Sequence, residues 1–139
     1  LAFLCVLANI FVVVIYMIVA TYFEVKFLYT PEIPKNILGF GWFIWLNLFA
    51  ICIWVPVIEE AFFRGFLLRL LMRRLGTFSA VLLSSLVFAV LHGNIGLLIP
   101  LFICSIVISV LYIRTGSIYP SILTHGCVNL SVALVAASA

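Results

Sequence analysis

The sequence predicts an all-α fold, a polytopic transmembrane helix bundle with a polar intramembrane cavity. Three observations predict it. Hydrophobic residues make up 68% of the 139 and Asp, Glu, Lys and Arg together only 8%, against about 45–50% and 25% in water-soluble domains. The mean hydropathy is +1.45. The apolar residues also fall in long unbroken runs, not in the short alternating strands of a membrane barrel. Such a chain cannot cover a water-facing surface, which excludes a soluble enzyme, a nucleic-acid binder and a disordered region. Its solvent is the lipid bilayer.

The first run, residues 1–23, is long enough for a bilayer core that takes about 20 apolar residues. No basic stretch precedes it, so it reads as a span and not as a signal peptide. The sequence opens on Leu1 rather than Met, as in a fragment of a longer chain. A polar loop follows, with Pro31 and Pro34 blocking helix and Lys26 and Lys35 at its edges. The second run starts near Ile37 and continues through Glu59 and Glu60 to Leu75, punctuated only by Pro56. A reversal at Pro56 would leave backbone groups unpaired in lipid. One long helix kinked at Pro56 is therefore expected, with its surplus length in the basic end RLLMRRLG and Gly76 as its stop. Residues 77–92, 97–113 and 118–139 are the remaining runs, separated by Gly93-Asn94-Ile95-Gly96 and Arg114-Thr115-Gly116-Ser117. Five crossings follow, or six if Pro56 is a true turn. Residues 1–36 are expected to form an N-terminal span and loop, and 37–139 the functional core.

Orientation follows from the cations. The net charge is +3. Arg69, Arg73, Arg74 and Arg114 fall on one face, which is the richer one and therefore cytoplasmic. The short, compact chain points to a prokaryotic plasma membrane. Cys5, Cys52, Cys104 and Cys127 all lie inside apolar runs, match no zinc spacing and read as small packing residues.

Charge at membrane depth is costly and marks function by default. Glu59, Glu60, His92 and His125 interrupt the apolar runs far from the basic ends, and Arg64 follows closely. Counted from the arginine face at ~1.5 Å per residue, Glu59, His92 and His125 lie roughly 21, 20 and 15 Å deep. Three distant segments thus bring an acid and two imidazoles to a similar level. Glu60 and Arg64 are spaced i, i+4 and can pair on one helix face, leaving Glu59 about 100° away for another partner. Phe88 and His92, and His125 and Asn129, share the same spacing. Gly65, Gly93 and Gly126 sit beside these groups, where a missing side chain leaves room for a neighbour. Such a set suits peptide hydrolysis, which needs an activated water and donors for a developing oxyanion. Two His and one Glu are also a ligand set for catalytic zinc.

The stretches EEAFFRG at 59–65, FAVLH at 88–92 and HGCVN at 125–129 resemble, in order, the three motifs of the CAAX-protease and bacteriocin-processing family of intramembrane proteases. The resemblance implies that Glu59 is the general base on the water, assisted by His92. It implies that Glu60 and Arg64 orient that acid, and that His125 and Asn129 bind the substrate carbonyl and stabilise the oxyanion. In the family's metal reading, His92, His125 and Glu59 hold a zinc ion instead. Both mechanisms are open to this residue set. The implied substrates are membrane-associated peptides or lipidated proteins, of prenylated CAAX or leader-peptide type.

Taken singly, these residues have plainer readings. A glutamate pair can snorkel, and a histidine or an asparagine can be polar glue between helices. Two other functions use the same residues: a non-catalytic immunity or partner-binding protein of the same fold, and a proton-coupled transporter.

Overall fold

The computed structural model describes residues 1–29 and 39–138. Pro31, Pro34 and Lys35 lie outside the described residues. The described residues are 88% helical, and no strand occurs among them.

Five helices form the bundle: α1 (Ala2–Tyr22), α2 (43–75), α3 (77–91), α4 (Ile95–Thr115) and α5 (Tyr119–Ser138). A single helical turn, Lys26–Leu28, follows α1, and the Tyr16 hydroxyl donates to the Leu28 carbonyl at 2.8 Å. Helix α2 runs through Pro56 without reversing. Its backbone stays right-handed helical at Phe49, Trp54, Glu60 and Leu68. At about 1.5 Å per residue it spans roughly 50 Å, more than the ~30 Å hydrocarbon core. Gly76 ends it with φ 75°, ψ 167°, a conformation that glycine adopts without steric penalty. The chain thus takes the long-helix arrangement through Pro56, and among the described residues Ala2–Tyr22, Phe43–Leu91 and Ile95–Thr115 are long and apolar enough to cross a membrane, with Tyr119–Val135 a shorter apolar helix.

Helix α2 is not uniform. Ala50–Trp54 and Ala61–Leu68 are wound as wide π-turns around the α-helical Val55–Glu60. The first precedes Pro56, whose ring crowds the carbonyl four residues back and which has no N–H to donate. A wide turn accommodates that crowding, and such turns recur at functional sites.

Outward-facing side chains are large and apolar, among them Phe3, Trp45 and Val135. The inner faces carry small and hydroxylated residues. Ala80, Ser84 and Ser85 of α3 and Ser105 and Ser109 of α4 are buried, which lets the backbones of a membrane bundle approach closely. Leu68, Ala80, Val81 and Tyr112 form a core cluster toward the arginine end. There Arg69 donates to the Tyr112 hydroxyl and lies over its ring, 5.6 Å from the centroid. Helix α1 packs on α4 and α5 and buries only Asn9 and Ala20. Near its start, Leu1 and Cys5 share a groove with Val110 and Arg114, which puts Leu1 at the arginine face. The four cysteines are free, and Cys104 alone is fully buried.

Candidate active site

The polar interior of the bundle is a packed cluster where α2 meets α4 and α5. Glu60 is 0% exposed and Arg64 1%. Their i, i+4 spacing survives the change to wide turns, and Arg64 Nη1 donates to Glu60 Oε1 at 2.9 Å. The other end of the guanidinium is held from α4, where Nη2 donates to the Ser105 carbonyl at 3.0 Å and to its hydroxyl at 2.9 Å. A buried charge of this kind needs both a counter-ion and further hydrogen bonds, and Ser105 supplies the latter. Ser105 is the residue that motif spacing missed. Its signal was present, a serine spaced i, i+4 from Ser109 inside an otherwise apolar run.

Glu60 Oε1 also accepts from His125 Nδ1, at 2.8 Å. Paired with Arg64, the Glu60 carboxylate can only accept, so Nδ1 carries the hydrogen and Nε2 is the working nitrogen. Nε2 faces Glu59 Oε2 at 3.5 Å. That separation is long for a direct hydrogen bond and short enough for both atoms to touch one water. Glu59 is 27% exposed, yet its Oε2 is buried with no other partner among the described residues. The His125 ring therefore lies between two carboxylates, one shielded and structural, the other reachable. Sequence spacing left Glu59 free for another partner. That partner is His125, and Glu60 with Arg64 holds His125 rather than Glu59.

His92 stands apart from this group. It ends α3, where its own N–H bonds to the Ala89 carbonyl instead of to Phe88. The orphaned Phe88 carbonyl takes His92 Nδ1 at 2.8 Å. The Phe88 ring divides the two imidazoles, 4.7 Å from His92 and 5.9 Å from His125 between centroids. It also packs on Phe63 and lies beneath Arg64. Among the described residues, no group of three or more His, Cys, Asp or Glu is arranged to hold a metal ion. Glu59, His92 and His125 are therefore not assembled as a zinc ligand set in this structure.

Asn129 lies one turn beyond His125 on α5. Its side-chain amide donates to the Ile51 carbonyl of α2 at 3.0 Å. Of the three glycines expected to admit a neighbour, Gly126 does so: a Cβ there would collide with the Cys52 carbonyl. Gly65 makes only ordinary contact, with Ile118 at 3.7 Å. Gly93 instead supplies a turn with φ +67° and has open space around it. The close approach that sequence reading overlooked is Gly96, against the Tyr29 carbonyl. Two grooves of about 440 and 200 Å³ flank the Ile106–Val110–Arg114 edge of α4, and neither includes a residue of the acid–imidazole cluster.

Fold and cluster together are those of an integral membrane protein with an acid–imidazole site inside its helix bundle. The family model described as Type II CAAX prenyl endopeptidase Rce1-like matches residues 41–131, about two thirds of the chain. The chain belongs to this protease family, within the CAAX-protease and bacteriocin-processing group. The match spans all three motif stretches, 59–65, 88–92 and 125–129. Neither curated proteins nor solved structures give a match.

Proposed function

We propose that the protein is an intramembrane endopeptidase that hydrolyses a peptide bond of a membrane-associated substrate through a water activated by Glu59. The observation that carries this reading is the position of His125, held at Nδ1 by buried Glu60 and turned at Nε2 to the accessible carboxylate of Glu59. Glu59 takes a proton from the water as the water oxygen bonds to the peptide carbonyl carbon. The proton passes to the amide nitrogen as the C–N bond breaks, leaving a carboxylic acid and an amine, between which the acid's proton then moves to give carboxylate and ammonium. His125 Nε2, the acceptor nitrogen while Nδ1 carries the hydrogen, accepts from the water and fixes it against Glu59. His92, with Nδ1 committed to Phe88, offers Nε2 to the substrate from the far side of the Phe88 ring.

The family description makes a prenylated CAAX-type tail the first substrate to try and a leader-bearing peptide the second. The reading assigns catalysis to residues 37–139 and an accessory role to α1. It also places the arginine face on the cytoplasmic side, in a prokaryotic plasma membrane.

The test is cleavage of a panel of prenylated and leader-type peptides by the purified protein in liposomes. Glu59→Gln keeps the side chain's shape and removes its basicity, and should cut the rate by about 100-fold or more. On the glutamate reading a chelator should leave the rate unchanged, and loss of activity on chelation would favour the zinc reading, with His92, His125 and Glu59 as ligands. Full activity in Glu59→Gln would sink the reading. Substrate binding without cleavage by wild type would point instead to the non-catalytic partner protein.

A further inference from the structure

Pro56 has no N–H, so the carbonyls four and five residues before it, Cys52 and Ile51, lose the donor that an α- or π-turn would give them. An unpaired carbonyl in a membrane interior is costly. Helix α5 lies against both and supplies a donor to one, Ile51. The Asn129 amide donates to Ile51 at 3.0 Å. One turn nearer the acids, Gly126 lets the α5 backbone lie directly on the Cys52 carbonyl. One turn of α5, residues 125–129, therefore holds two points of α2, the acids at Glu59 and Glu60 and the broken ladder before Pro56. The two helices run antiparallel, so closing the seam at Ile51 fixes the register in which Glu60 and Glu59 meet the His125 ring.

From this we infer that Asn129 is a positioning residue: it caps the carbonyl that Pro56 leaves open and so holds the two carboxylates against His125. The inference rests on the protease reading for its effect on rate, but not for the clamp itself.

A double-mutant cycle tests it. Any non-proline residue at 56 restores one N–H, which in the wide turn reaches the Ile51 carbonyl from within α2. Asn129→Ala should then lower kcat about ten-fold or more in the wild-type background and about three-fold or less in Pro56→Ala, with KM little changed in both. The thermal unfolding midpoint of the purified protein in detergent should show the same coupling, with a drop for Asn129→Ala only where Pro56 is present. Pro56→Leu serves as a second background should the alanine variant not fold. An oxyanion donor acts on the substrate whatever stands at position 56, so additive losses in kcat would overturn the inference. Coupled unfolding without cleavage by any variant, wild type included, would remove the protease reading and leave the clamp standing.

Discussion

Glu60 spends one oxygen on two partners, and neither Glu60 nor Arg64 reaches water. Removing one member of a buried pair leaves the other uncompensated, which typically destabilises by about 3–5 kcal/mol, whereas replacing both by apolar groups is often near neutral. Arg64→Met should therefore unfold far more readily than Glu60→Met/Arg64→Met, measured by denaturant titration in micelles. Both variants should be inactive, because His125 loses its Nδ1 anchor in the double variant and a charged, unscreened Glu60 rearranges it in the single one. Equal stability of the two would mean that the pair is exchangeable with solvent. Ser105→Ala should be milder, by about 1 kcal/mol, because the Ser105 carbonyl still accepts from Arg64.

At the scale of the helix, contacts within one element were legible and contacts between elements were not. Glu60–Arg64 and Phe88–His92 follow from the i, i+4 rule, which needs only a helix. The meeting of Glu60 with His125 joins residues 65 apart in sequence. Residue counting gave their common depth but not which acid the ring would face. The Ile51 carbonyl was harder still, since a backbone acceptor has no letter of its own, and only Pro56 hinted that one had been freed. The hydrogen bond of His92 to its own helix end was hidden for a related reason. A helix end creates orphan carbonyls, and a histidine there can satisfy one at the expense of pointing inward. The seam between α2 and α5 gives a prediction at this scale. Gly126→Ala drives a methyl group into the Cys52 carbonyl and should lower kcat by about ten-fold or more, while Gly65→Ala, in a site with ordinary clearance, should stay within about three-fold of wild type. Kinetics on the two variants side by side checks it, and equal losses would show that α5 does not bear on α2 through Gly126.

For the whole molecule, the order of crossings decides which face the substrate approaches. The apolar runs were legible because hydrocarbon imposes length and apolarity on a span by itself. Whether Pro56 reverses the chain depended on the freed carbonyls finding partners, and one of them, Ile51, finds a donor on α5. With α2 continuous, Arg69, Arg73, Arg74 and Arg114 share one end with Leu1, whereas Lys26 and Asn94 lie at the other, where Tyr29 sits on Gly96. Two solvent-facing positions that bracket α4 report on this directly. In a variant with the four native cysteines replaced by serine, a thiol introduced by Ser117→Cys should react with an impermeant maleimide from the cytoplasmic side only, and one introduced by Asn94→Cys from the opposite side only. Labelling of both from one side would mean that α4 does not cross. Labelling of each from the side opposite to that expected would invert the protein, place the arginines outside and force the substrate to reach Glu59 from the other compartment.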